Sequence, residues 1–194
     1  MVIQSSINSF GATVVAGNSA AVNLEGFGYV AMNAFHQAAI SFTSQNVGAK
    51  KYERVNKIAL RAAICAAIVG LGFYGLIFGA GPKLLGLYTE SPEVIAAGMN
   101  RVRIVTAGYF VAGMMDVLVG VLRGLGYSVV PMIGSIIGVC GIRLVWVMTI
   151  FQMPQFHNTF MIYVTYPFTW VVTTLFHFTC FIIIRKRLKK SWGK

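Results

Sequence analysis

From Gly124 to Ile184 the chain carries a single formally charged residue, Arg143. A water-facing surface of that extent is not built without charge, whereas a bilayer demands it. The hydrocarbon core is ~30 Å thick and takes ~20 apolar residues to cross as a helix. The rest of the sequence agrees: 57% of residues are hydrophobic and 11% are charged, against about 25% charged in a soluble domain. A barrel strand would alternate apolar and polar residues. The apolar runs here are unbroken. Backbone groups in lipid must be hydrogen-bonded within the segment, so each run predicts a helix. The fold class is therefore an all-α, polytopic transmembrane helix bundle.

Segmentation follows from charge and turn residues. Residues 1–11 are too short to cross and read as the end of a truncated helix. Residues 12–47 are helical in tone but semi-polar, and at ~1.5 Å per residue too long for one straight crossing. Gly26 and Gly28 are the natural place for a bend or break. Full spans are expected at about 26–47, 58–80, 104–122, 127–151 and 159–184, with a kink at Pro167. Ser91-Pro92-Glu93 reads as a helix start, with Ser at the cap and Pro at the first position. That helix is expected to run on to Leu122, its first part lying at the interface with Arg101 and Arg103. Residues 185–194 form a basic tail. Five full spans plus the end of a sixth make one membrane domain.

The net charge of +11 reads topologically. Lys50, Lys51, Arg54, Lys57, Arg123, Arg185, Lys186, Arg187, Lys189, Lys190 and Lys194 fall on one side of the segmentation. Lys83, Arg101 and Arg103 fall on the other. The basic side is expected to be cytoplasmic, with the C-terminus inside. The basic residues flank apolar segments and no nucleic-acid motif accompanies them, so nucleic acid is not an expected partner.

Ionisable groups within spans are functional candidates. Asp116 sits in AGYFVAGMMDVLVGVL and Arg143 in VCGIRLVWV. On the helical rise they lie ~18 Å and ~12 Å from the outer ends of their spans. Two readings stand side by side: an Asp116–Arg143 ion pair that fixes packing, or a proton- or cation-coupling role for Asp116. The helix of residues 26–47 carries a polar stripe of Asn33, Gln37, Ser41 and Ser44, with His36 at its margin. Such a stripe should face a cavity or glue one helix to another. Glu25 is expected to be solvated near the outer interface. Cys65, Cys140 and Cys180 show no metal or disulfide spacing. His177 near Cys180 lacks further ligands. GLGFYG, GSIIGVCG and AGYFVAG place small residues where helices approach closely. No catalytic constellation, nucleotide loop or metal motif is present, so neither an enzyme nor an organic cofactor is expected.

The stretch SFGATVVAGNSAAVNLEGFGYVAMNAFHQAAISFTSQNVGAKKYERVNK resembles the seventh-to-eighth helix region of multidrug and toxin extrusion (MATE) transporters. Its polar helix ends in Gln45, Gly48, Lys50, Lys51 and Arg54. GMMDVLVGVLRGLGYSVVPMIGSIIGVCGIRLVWV is similar to the tenth and eleventh helices of that family. The resemblance covers residues 1–187 and implies the C-terminal lobe of a two-lobe, twelve-helix exporter. It further implies export of organic cations and drugs by alternating access, in exchange for H⁺ or Na⁺, across the plasma membrane. The partners it implies are the lipid bilayer, small organic cations and an N-terminal lobe. On this resemblance Asp116, Arg143, Asn33, His36, Gln37, Ser41 and Ser44 are the candidate pathway residues. Two other functions fit the same helices. One is a lipid-linked saccharide flippase of the same superfamily, and the other a small membrane channel or assembly subunit.

Overall fold

The computed structural model describes residues 2–192. The helices are α1 Val2–Asn8, α2 Ala12–Gly48, α3 Arg54–Leu85, α4 Pro92–Thr106, α5 Tyr109–Gly124, α6 Val129–Ser135, α7 Ile142–Met148, α8 Thr159–Tyr163 and α9 Thr165–Trp192. A π-helical segment, Ile136–Gly141, joins α6 to α7, and two short 3₁₀ turns follow α7. No strand occurs among the described residues. The all-α helix bundle expected from the apolar runs is what forms. Lys194 of the basic tail lies outside the described residues.

α5 is the hub. It packs against α2, α3 and α9, while α4 packs against α2 and α3. Ala39, Val55, Ala66, Val117, Val121 and Leu122 close one core among α2, α3 and α5. Large apolar side chains point outward in number, including Phe27, Val30, Ile68, Phe78, Ile137 and Leu175. In water this surface would drive aggregation. In lipid it is the expected exterior.

Among the described residues, three segments are long and apolar enough to cross a membrane: Arg54–Leu85, Val129–Gln152 and Thr159–Lys189. The α4–α5 pair makes a fourth if its bent halves count as one span. α2 is longer than any of them, at 37 residues, yet its polar residues keep it out of that set.

The helix paths differ from the sequence expectation in three places. α2 runs unbroken through Gly26 and Gly28. Gly28 makes room for a neighbouring ring. A Cβ there would collide with the Tyr109 ring and touch Phe73. Second, the helix expected to run on to Leu122 breaks at Ala107–Gly108, where α4 and α5 meet at 47°. Gly108 lets that joint sit against Pro167 and Trp170 of α9. Third, the irregularity expected at Pro167 appears three residues earlier, between α8 and α9 at Val164. Proline lacks an N–H and its ring crowds the carbonyl four residues back, here Tyr163, so the helix loosens at that point. Ser91 does precede α4 in extended conformation with Pro92 at the first position. A Cβ on Gly70 of the GLGFYG motif would fall 2.7 Å from the Phe110 backbone nitrogen, as expected where a small residue lets two helices cross closely.

Gly28→Ala is therefore expected to destabilise the fold by about 1–3 kcal/mol through overpacking against Tyr109. Thermal unfolding of the detergent-solubilised protein checks this; a melting curve superimposable on that of the parent protein would contradict it.

Candidate functional site

Two adjoining cavities open along α5, and Asp116 lines both. The first, of about 230 Å³, is walled by Tyr29 and Met32 of α2, Tyr109 and Asp116 of α5, Arg143 of α7, and Tyr166 and Trp170 of α9. The second, of about 310 Å³, is lined by Tyr29, Asn33, His36 and Gln37 of α2, Asp116 and Arg123 of α5, and Ser135 of α6. The polar stripe of α2 thus faces a cavity over part of its length. Asn33, His36 and Gln37 belong to that wall. Ser41 and Ser44 lie farther along α2, exposed, and line neither cavity. Ser44 donates to the Ser41 carbonyl at 3.1 Å, and Gln45 donates to the Ser41 hydroxyl at 3.3 Å.

The Asp116–Arg143 ion pair does not form. The Asp116 carboxylate makes no salt bridge among the described residues. The basic groups close enough to act on its charge are His36 and Arg123. Arg143 turns to aromatic partners instead. Its guanidinium carbon sits 4.0 Å from the Tyr166 ring centroid and 5.8 Å from that of Trp170. Its Nε donates to the Thr169 hydroxyl at 3.1 Å, and Nη2 has no partner. The π segment just before α7 explains part of this aim. Its wider i→i+5 turn shifts the face that α7 presents relative to α6.

His36 couples α2 to α5 directly. Its Nδ1 lies 2.8 Å from the Asp116 backbone carbonyl. A carbonyl only accepts, so Nδ1 carries the hydrogen in this contact. The side chain is half-buried beside the cavity. His177, in contrast, is fully buried and bonds the Pro131 carbonyl through Nε2 at 3.2 Å. No metal-binding cluster exists among the described residues.

The sequence reading missed the main buried polar group. Glu25 and Arg101, both expected near the outer interface, are buried and paired. Arg101 donates from Nε to Glu25 Oε1 at 2.9 Å and from Nη2 to Oε2 at 2.8 Å. Its Nη1 donates to Asn18 Oδ1 at 2.8 Å. Asn18 in turn reaches Gln4 of α1 at 3.4 Å. The Tyr109 hydroxyl donates to the Glu25 carbonyl at 3.1 Å. Glu25 therefore holds both sides of the α4–α5 joint, Arg101 before the break and Tyr109 after it. The available signal was depth. Both residues had been placed at the same membrane face, and opposite charges at one depth on neighbouring helices should be tested as a pair. Arg101 also lies 5.1 Å from the Tyr166 centroid, so Tyr166 stands between two guanidinium groups.

Comparison with known proteins relates the fold and the sequence to one family. The fold is similar to an inward-facing multidrug resistance MATE family transporter of the MOP superfamily, with TM-score 0.80 and 21% identity, covering 91% of this chain and 40% of that one. It is similar also to a MATE protein in the bent conformation, with TM-score 0.78 and 22% identity, covering 91% and 39%. The chain thus spans about 40% of the length of the solved structures it matches. At this identity the likeness shows the fold. No curated protein matches the chain. The MatE family model matches residues 1–149, which is most of the sequence, and the chain belongs to the MatE family.

Proposed function

We propose that the chain is the C-terminal lobe of a secondary active antiporter that exports organic cations in exchange for H⁺ or Na⁺. The observation that carries this reading is Asp116: a carboxylate midway along a membrane helix, without an ion-pair partner among the described residues, on the shared wall of two cavities. A carboxylate in that setting needs a proton, a cation or water to offset its lost hydration. A proton, a metal cation and an organic cation can compete for it, and that competition is what antiport requires. Tyr29, Tyr109, Tyr166 and Trp170 supply the aromatic faces that attract organic cations. Alternating access would rock this lobe against an N-terminal one. The distribution of Lys and Arg supports a cytoplasmic C-terminus, and the family resemblance supports the plasma membrane as its location.

Arg143 favours one alternative. A cationic group on the cavity wall suits an anionic substrate, as a lipid-linked saccharide flippase would carry. The two readings separate in an efflux assay on the intact gene product in energised vesicles. Export of a fluorescent organic cation that stops when the H⁺ and Na⁺ gradients are collapsed is the expected result. No export of cations, with flipping of a labelled polyprenyl-phosphate saccharide, would support the flippase. Neither activity, with ion conductance, would support a channel and sink the proposal.

A further inference from the structure

An apolar cavity lies on the other side of α5. Its volume is about 350 Å³, and it is a groove between α3, α5 and α9. Met114 and Leu118 form its floor. They flank Asp116 two residues away on either side, so they occupy the opposite face of α5. The walls are Ala63 and Leu60 of α3 with Leu175 and Phe178 of α9. Leu60 is 63% exposed, Leu175 61% and Phe178 51%. The groove therefore opens sideways to the surroundings of the bundle, away from the polar cavities that would face a second lobe.

One end of the groove is polar and basic. Asn56 lines it, and Arg185 of α9 crosses the mouth by donating from Nε to Asn56 Oδ1 at 2.9 Å. Arg185 falls one helical turn beyond Phe181, on the same face of α9. Lys189 falls one turn farther, and Lys57 adjoins Asn56. Arg185 reaches this end through Asn56, and Lys57 and Lys189 follow on the adjoining turns of α3 and α9, with Glu53 the nearest acid in the sequence. An apolar slot sized for a hydrocarbon chain thus ends in a cluster of cations at the depth where a helix leaves the hydrocarbon. The complementary ligand has an acyl chain at one end and a negative phosphate at the other.

We propose that this groove is a binding site for an anionic phospholipid, with one acyl chain between Leu60 and Phe178 and the phosphate against Arg185, Lys57 and Lys189. Basic pockets between membrane helices recognise lipid head groups by this chemistry. The inference stands on the groove and its charged end, independent of what the cavities at Asp116 carry.

Native mass spectrometry of the intact gene product, released from detergent with phosphatidylglycerol and phosphatidylcholine of the same acyl chains, tests it. Phosphatidylglycerol is expected to be retained in preference. Arg185→Gln should reduce that preference by about fivefold, the effect expected of one surface cation. Combining it with Lys57→Gln and Lys189→Gln should remove the preference. Ala63→Trp, which fills the slot, should lower retention of both lipids. If that variant does not fold, Phe178→Ser removes the acyl contact instead. Equal retention of the two lipids by the parent protein would overturn the proposal. So would a preference that survives the triple substitution, or phosphatidylglycerol retention unchanged in a folded groove variant.

Discussion

Asp116→Asn is expected to reduce ion-driven efflux by about 5–150-fold, the range of a typical coupling free energy between two sites, while the protein still reaches the membrane folded. The substitution keeps shape and volume. It removes the charge that a proton or cation would neutralise. No ion pair is broken, because the carboxylate has none among the described residues, so stability should change little. The measurement is efflux of an organic cation from energised vesicles across a titration of pH and Na⁺, beside the melting temperature of the purified variant. Efflux that keeps the parent's dependence on both ions would take Asp116 out of the coupling role. A His36→Gln variant is a useful companion. It retains a donor that can reach the Asp116 carbonyl but lacks the imidazole ring, and so separates positioning of α5 from any other role of the His36 side chain.

The second large effect is expected at the Glu25–Arg101 pair. Arg101→Met or Glu25→Leu alone leaves an uncompensated charge buried between α2 and α4. Breaking a buried pair in this way costs about 3–5 kcal/mol. The double variant should recover most of that loss, because two apolar side chains of similar volume need no partner. Thermal unfolding of the two single variants and the double variant gives the coupling directly. If the double variant is as unstable as either single one, then the tie from Arg101 to Asn18, rather than charge pairing, holds the joint. The position of the pair explains why it is there. Glu25 binds Arg101 through its carboxylate and Tyr109 through its carbonyl. Those two residues bracket the break at Ala107–Gly108, so one residue of α2 fixes the 47° angle between α4 and α5.

That angle positions the candidate site. α5 must leave the joint in a direction that brings Asp116 against His36 and Tyr29 on one side and Met114 and Leu118 onto the lipid-facing groove on the other. An efflux defect in a folded Glu25 or Arg101 variant would accordingly report on the orientation of α5, not on contact with substrate.

The sequence by itself determined the solvent, the fold class and the inventory of polar residues. A stretch from Gly124 to Ile184 with Arg143 as its single formal charge requires lipid, and backbone hydrogen bonding in lipid requires helices. Helical periodicity put Asn33, Gln37, Ser41 and Ser44 on one face with His36 at its margin, and three-dimensional packing turned only the Asn33–Gln37 part of that face toward a cavity. Tertiary structure alone decided which partners the charges take. Asp116 and Arg143 lie on successive spans at similar depths, yet Arg143 stacks on Tyr166 and donates to Thr169, while Arg101 finds Glu25 across a sequence separation of 76. It decided as well that Gly28 admits a tyrosine ring without breaking α2, and that a π segment turns α7. The reason is physical. Hydropathy and periodicity act along a single helix and fix what it can bury. Pairing depends on rotation and bend at each crossing, and these are set by steric contacts between residues distant in the chain.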